Sequence, residues 1–85
     1  MIDQVLSDIR TEIQRQKTLH GDNSIGGTDL TVGQRYLVLG EEVGEVATAV
    51  MGLDPSALLE ELIQVAACAT AWATYLLEDT AWKIT

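Results

Sequence analysis

The segment from Leu58 to Leu77 constrains the fold more than any other part of the sequence. Its spacing predicts a helix, and apolar residues occupy nearly every face of that helix. A helix that is apolar all round must be buried on every side, and two neighbouring helices of one 85-residue chain leave part of it uncovered. We therefore expect a homo-oligomer, at least a dimer, in which a partner chain covers the remaining surface.

Two further helical patterns precede this segment. The first has apolar residues at spacings of three, four or six and ends at His20, before a glycine. Its apolar positions are Ile2, Val5, Ile9, Ile13 and Leu19. After the loop GDNSIGGTDLT, a second helix is predicted from Thr31 to Met51, and Asp54-Pro55 begins the third as N-cap and first helical residue. No strand pattern is present, so the sequence predicts one all-α domain over residues 1–85, a compact antiparallel helical module.

An internal similarity links the second and third helices. LGEEVGEVATAV, from Leu39 to Val50, is matched nineteen residues later by LLEELIQVAACA, from Leu58 to Ala69. The paired glutamates of the first stretch recur in the second, and Gln64 stands where Glu45 stood. The repetition raises the question of why acids recur at the same place in two otherwise apolar helices.

Helical phase places the acids of the second helix around its predicted buried face. With about 100° per residue and Val43 at the centre of that face, Glu42 and Glu45 lie on one flank. Glu41 lies on the opposite face. It either contributes charge to the surface or supports the metal ligands without binding the ion itself. The other residues of the predicted buried face are Tyr36, Leu39, Val46, Ala47 and Val50.

The third helix repeats this arrangement. With Leu62 at the centre of the buried face, Glu61 and Gln64 occupy the flank that Glu42 and Glu45 occupy on the second helix. The other members of this predicted face are Leu58, Val65, Ala66, Ala69 and Ala73, and Glu60 points away from it.

Glu42 and Glu45 are neighbours on their helix, because residues three apart lie side by side. Two like charges at the rim of a core repel each other, and Glu61 from a facing helix adds to the repulsion. A hard divalent cation such as Mg²⁺ takes carboxylate oxygens and would remove the conflict. The alternative is that these glutamates only favour helix formation and cover a solvated face. The matched phase of two consecutive helices favours the metal site.

Few cations are available to meet an anionic ligand. Arg35 lies two turns before Glu42 on nearly the same flank, where it can contact a phosphate or simply cover the helix surface. Lys17 and His20 end the first helix and either bind substrate or complement the helix dipole.

Composition narrows the partners further. The net charge of -8 argues against a nucleic acid or an anionic membrane as a primary partner, since both need a basic face. Cys68 lies in an alanine-rich run and is predicted to be a buried thiol. MIDQVLSDIR has acids where a signal peptide has bases, and LIQVAACATAWATYLL is shorter than a membrane span, so a cytoplasmic protein is expected. Trp72, Tyr75 and Trp82 are predicted to be core or interface residues.

At the repeated acids the chain resembles the all-α MazG-like nucleoside triphosphate pyrophosphohydrolases. Their motif is EExxE, a spacer, and ExxD on the following helix. The present chain has EEVGE from Glu41 to Glu45 and then ELIQ from Glu61 to Gln64, with glutamine in place of the last aspartate. The likeness covers residues 34–77, about half of the chain.

The resemblance implies a helical module that completes four-helix bundles by dimerisation or tetramerisation. It implies Mg²⁺, with Mn²⁺ as a possible substitute, on the positions of Glu42, Glu45, Glu61 and Gln64, and hydrolysis of a nucleoside triphosphate to the monophosphate and pyrophosphate. Glu41 would orient the attacking water or accept its proton. The alternative is a non-catalytic module of the same fold that binds nucleotide weakly or serves as a dimeric partner, which the substitution at Gln64 favours.

Overall fold

The computed structural model describes residues 1–78, which form three α-helices. They are α1 (Ile2–His20), α2 (Val32–Met51) and α3 (Pro55–Glu78), and a short 3-10 helix (Gly21–Asn23) follows α1. The described part of the chain contains no strand, so the predicted all-α class is confirmed. None of its helices combines the length and the apolar character that crossing a bilayer requires.

α2 runs antiparallel to α3, and α1 runs parallel to α3. Arg35 near the start of α2 lies over Tyr75 near the end of α3, whereas Glu45 of α2 approaches Glu61 in the first half of α3. The middle of α1 lines one groove with the first half of α3, and its later turns line another with the last turns of α3. α3 therefore packs against both other helices.

Local signals set the helix starts. Thr31, predicted as the first residue of the second helix, is its N-cap: Thr31 Oγ1 accepts from Gln34 N at 3.1 Å, and Thr31 N donates to Gln34 Oε1 at 2.9 Å. This reciprocal pair is a capping box, which satisfies two of the amides that a helix start leaves free. Asp54 caps α3 as predicted, since its Oδ1 accepts from Ser56 N at 3.0 Å and Ala57 N at 3.2 Å.

The core joins α3 to the loop that follows α1. Ile25 from this loop is 3% exposed and packs with Cys68 and Ala71 of α3. The half-buried residues packed around them are Ile13, Val38, Leu39 and Trp72. The predicted burial of Cys68 is confirmed, and Trp72 is a core residue as expected, whereas Trp82 lies outside the described residues.

The predicted buried faces of α2 and α3 are wrong for the single chain. Val43, the predicted centre on α2, is 52% exposed, and Leu62, the predicted centre on α3, is 49% exposed. α2 instead turns inward a face about one residue away, which includes Glu42. The inward residues of α2 are Arg35, Val38, Leu39, Glu42, Val46 and Ala49. The error arose because α2 is apolar on two adjacent faces, and only the one through Leu39 and Val46 is covered within the chain.

A set of large apolar side chains consequently remains exposed on the two neighbouring helices. We call it the outer face, and it consists of Tyr36, Val43 and Val50 on α2 with Leu59 and Leu62 on α3. The α2 members are spaced by seven residues, the repeat that keeps one helix face in contact with a partner helix. Monomeric proteins rarely leave such a contiguous apolar stripe uncovered.

Arg35 neither covers the helix surface nor faces a phosphate, the two alternatives that the sequence left open. It is 2% exposed, and its Nη1 donates to the carbonyls of Ile25 and Gly27, the latter at 2.8 Å. Its guanidinium carbon lies 4.1 Å from the ring centroid of Tyr75. The side chain points inward because the buried side of α2 is displaced from the predicted one, and the loop carbonyls and the aromatic face replace the water that a buried charge loses. Arg35 thus fastens the loop to α2 and α3.

We predict that Arg35→Met lowers the free energy of unfolding by about 2–4 kcal/mol, because the buried carbonyl of Ile25 and the partly buried carbonyl of Gly27 lose a charged donor. That is a large part of the total for a chain of this length, which is on the order of 4–13 kcal/mol. Urea unfolding measures the loss. Arg10→Met, a change at an exposed arginine of α1, serves as the control and should shift stability by less than about 0.5 kcal/mol. Equal stabilities for the two variants would contradict the role of Arg35.

Candidate metal and phosphate site

Three glutamates of α2 and α3 meet at one place. Glu42, Glu45 and Glu61 each offer a carboxylate oxygen, and these oxygens lie within 4.8 Å of one another. Glu42 and Glu45 are one turn apart on α2, and the antiparallel packing of α3 sets Glu61 opposite them. The structure therefore brings together the three acids that the sequence grouped.

Two of these carboxylates contain an oxygen that is screened from solvent. Glu42 Oε2 and Glu61 Oε2 are both buried and have no hydrogen-bond partner among the described residues. A carboxylate oxygen that loses water without gaining a donor is costly, so native structures normally supply a donor or a cation. Glu45 is exposed and can move to complete a coordination shell.

The surroundings make the charged form of Glu42 unfavourable. Burial raises the pKa of Glu42 above its usual value of 4.5, and the charges of Glu45, Glu61 and more distant glutamates raise it further. The pKa of Glu61 is also raised, first by burial and then by the nearby carboxyl of Glu45 and the charge of Glu60. Such crowding favours either a bound proton or a bound cation.

Glu12 of α1 is an additional acid beside this cluster, and the sequence analysis did not single it out. Its carboxylate accepts from Arg15 Nε at 2.8 Å and Arg15 Nη2 at 2.7 Å, and from Gln16 Nε2 at 3.1 Å. The hydrogen bond with Arg15 is the main reason why the pKa of Glu12 is lowered. Its charge contributes to the raised pKa of Glu42, so α1 borders the site. Helical spacing from Ile9 and Ile13 was the signal that could have placed Glu12 at the inner edge of α1.

Cys68 lies near the cluster but remains an unreactive thiol. Burial, with a further contribution from the charge of Glu42, raises the pKa of Cys68 to about 11. Gln16 Nε2 lies 3.7 Å from its sulfur and links α1 to α3. A thiol with so high a pKa is neutral at pH 7 and is a poor nucleophile, which agrees with the structural role expected for it.

Gln64 and Glu41 lie at the edges of the site. Gln64 lines a groove between α1 and α3 together with Glu12 and Arg15. Glu41 is exposed and is not one of the three clustered acids, although its charge reaches Glu42.

The cations predicted to bind substrate lie elsewhere. Lys17 lines a second groove, of about 490 Å³, near the ends of α1 and α3, with Thr74 and Tyr75 among its walls. His20 is exposed in the last turn of α1. Arg35 is buried beneath the loop, so none of the three is grouped with the clustered glutamates.

The donor set suits a hard divalent cation. All three clustered donors are carboxylate oxygens, the ligands that Mg²⁺ and Mn²⁺ accept readily, and no thiol or imidazole is among them. The two screened oxygens without a donor supply an independent reason to expect a cation there. The residues present therefore fit Mg²⁺.

No known family model, curated protein or solved structure matches the chain.

We predict that the metal-free protein becomes less stable as the pH rises above 4.5. A carboxyl whose folded-state pKa is raised binds more protons in the folded than in the unfolded chain, so the free energy of unfolding falls as pH rises from 4.5 through the folded-state pKa. The lowered pKa of Glu12 acts below 4.5 and leaves this window unaffected. Thermal unfolding in a chelator at several pH values measures the slope. Glu42→Gln should flatten it, and an unchanged slope in that variant would contradict the assignment.

Proposed function

We propose that the protein is a Mg²⁺-dependent nucleoside triphosphate pyrophosphohydrolase that releases a nucleoside monophosphate and pyrophosphate in the cytoplasm. The observation that carries this proposal is the convergence of Glu42, Glu45 and Glu61 with two screened oxygens that lack a donor. An acidic protein attracts a polyphosphate through a cation that reduces the repulsion between the two. The clustered carboxylates would bind such a cation. The motif resemblance supplies the reaction class.

In this proposal the chain's carboxylates hold the metal and one of them handles the proton. Glu42, Glu45 and Glu61 would bind Mg²⁺, with the side-chain carbonyl of Gln64 as a neutral addition. The ion would neutralise phosphate charge and lower the pKa of the attacking water. Glu41 is exposed and its charge acts on Glu42, and its carboxylate would orient that water or accept its proton.

A non-catalytic module of the same fold is the second candidate. It is favoured by Gln64, which brings no charge where the resembled motif has aspartate. A panel of ribo- and deoxynucleoside triphosphates, assayed for pyrophosphate release with Mg²⁺ and with Mn²⁺, separates the two. Release from any member supports the enzyme. Nucleotide binding without release from any of them supports the module.

We predict that Glu42→Gln and Glu45→Gln each reduce Mg²⁺-dependent pyrophosphate release by at least about 100-fold, because each removes a charged metal ligand. Neither variant should destabilise the metal-free protein, since each also removes a like-charge repulsion. Glu78→Gln, an exposed change of the same type at the end of α3, is the control and should keep the parent rate. Parent turnover in either cluster variant would rule out the site.

We predict that Gln64→Asp and Gln64→Glu strengthen Mg²⁺ binding in the absence of nucleotide, because the site then has four carboxylates rather than three. The parent should need more Mg²⁺ than either variant, and Mn²⁺, which tolerates mixed ligands better, should restore part of the activity. Both variants should be less stable than the parent without metal. Calorimetric titration of Mg²⁺ measures the difference, and two variants that both bind no better than the parent would show that Gln64 does not face the ion.

We further propose that two or four copies associate through the outer face and complete four-helix bundles. Tyr36, Val43 and Val50 repeat every seven residues, and Leu59 and Leu62 extend the same apolar character onto α3. Burying these side chains against a second copy would remove their apolar area from water. It would also cover the part of α3 that the single chain leaves exposed.

We predict that the parent scatters light as a dimer or tetramer, whereas Val43→Lys with Leu62→Lys scatters as a 9.2 kDa monomer at micromolar concentration. Two buried ammonium groups would cost several kcal/mol per interface, more than a small interface supplies. Thr48→Lys adds charge to an exposed position of α2 away from the outer face and should leave the assembly intact. A monomeric parent would contradict the proposal.

A further inference from the structure

The groove between the middle of α1 and the first half of α3 lies beside the clustered glutamates. It encloses about 610 Å³ and contains Gln64, three residues after Glu61 on α3. Its apolar walls are Leu59 and Ile63, and its polar walls are Asp8, Thr11, Glu12, Arg15, Ser56, Glu60 and Gln64. Arg15 is therefore the one cation among these described walls, in a groove otherwise lined by acids and neutral groups.

A polyphosphate needs such a cation. A divalent metal bound by three ionised carboxylates carries no net positive charge, so a ligand with several negative charges needs a second positive group nearby. Arg35 is buried beneath the loop, and Lys17 lines the other groove. Arg15 is 54% exposed at its side chain and borders the site.

We propose that Arg15 positions the phosphates of the ligand at the carboxylate site and that Glu12 holds its guanidinium ready for them. This inference rests on the proposed function and names a phosphate-binding residue that the sequence analysis did not assign.

The geometry of the pair suits this role. Glu12 takes up Nε and one side of Nη2, at 2.8 Å and 2.7 Å, which fixes the plane of the guanidinium. Among the described residues, Nη1 of Arg15 has no hydrogen-bond acceptor, so its N–H groups are free to donate to a phosphate oxygen. A planar guanidinium with one edge held by a carboxylate and another free is well suited to bind phosphate.

Glu12 is able to hold the arginine because Glu12 is itself fixed. Its side chain is only 13% exposed and also accepts from Gln16, whose amide lies against the sulfur of Cys68 on α3. The charge of Arg15 also reaches the cluster: the hydrogen bond and charge of Glu12 raise the pKa of Arg15, and the charge of Glu42 raises it slightly more. Gln16 thus links the Glu12–Arg15 pair to α3 as well as to α1.

An ion pair between residues three apart on one helix contributes little to stability when one partner is exposed, as Arg15 is. Arg15→Ala should therefore leave the fold nearly unchanged, so that a loss of ligand binding reports on phosphate recognition rather than on unfolding. Arg10→Ala is the matched control, since Arg10 is also an exposed arginine of α1 and does not line the groove.

The test measures binding of Mg²⁺ alone, and of inorganic triphosphate in the presence of Mg²⁺, by calorimetry for the parent, Arg15→Ala, Arg15→Lys and Arg10→Ala. Inorganic triphosphate removes any effect of an unknown base. We expect Arg15→Ala to bind Mg²⁺ within about threefold of the parent and triphosphate about 10- to 100-fold more weakly, as loss of a charged hydrogen bond implies. Arg15→Lys should recover part of the loss, and Arg10→Ala should bind triphosphate within about twofold of the parent.

The outcomes separate this inference from the function on which it rests. If Arg15→Ala and the parent bind triphosphate equally, or if Arg10→Ala loses as much, Arg15 is not the positioning residue and the metal site stands. If the parent binds Mg²⁺ but no triphosphate, the inference fails while the carboxylate site survives. If the parent binds neither, the proposed function fails and this inference fails with it.

Discussion

The buried guanidinium of Arg35 is the interaction on which the rest of the structure depends. It holds the carbonyls of Ile25 and Gly27 and stacks on Tyr75, so that one side chain joins the loop, α2 and α3. With the loop held in this way, Ile25 enters the core beside Cys68 and Ala71. The position of the loop in turn places α1 beside α3. α1 carries Glu12 and Arg15, which border the carboxylate cluster. Arg35 therefore influences the surroundings of the cluster through the position of α1, although Arg35 does not contact the cluster.

The cluster itself works against the stability of the fold. Glu42 and Glu61 each have a screened oxygen without a donor, and the pKa of each is raised by burial and by neighbouring acids. A chain selected only for stability would place glutamines or apolar residues there. Retaining the acids makes sense where a cation is bound, because the groups that repel each other in its absence become its ligands.

Part of this structure could be predicted from the sequence because its signals are local. Asp54-Pro55 and the glycine after His20 mark helix ends whatever the tertiary contacts, and a spacing of three makes Glu42 and Glu45 neighbours on any helix. The features predicted in this way and found in the structure are the three helices, the N-cap of α3 and the grouped acids.

The sequence did not predict which helix faces pack against each other or which distant residues are in contact. α2 is apolar on two adjacent faces, and periodicity alone does not say which of them faces α3 and which faces outward, so Val43 was assigned to the interior and Arg35 to the surface. Arg35 donates to backbone carbonyls of the loop. Every residue has a backbone carbonyl, so no sequence pattern identifies which ones accept from a buried arginine. Glu12 was missed because its importance comes from α3 lying alongside α1, a contact between distant parts of the chain.

The short turn at Gly52–Asp54 has a consequence for how the chain folds. It connects α2 to α3 directly, so the clustered glutamates lie within twenty residues of sequence and meet as soon as this helical hairpin closes. Contacts of such short range form early, whereas the docking of α1 and of the loop requires longer chain closure. We therefore expect the electrostatic repulsion to act while this hairpin forms. A divalent cation that relieves it would accelerate folding itself, rather than only slow the unfolding of a finished structure.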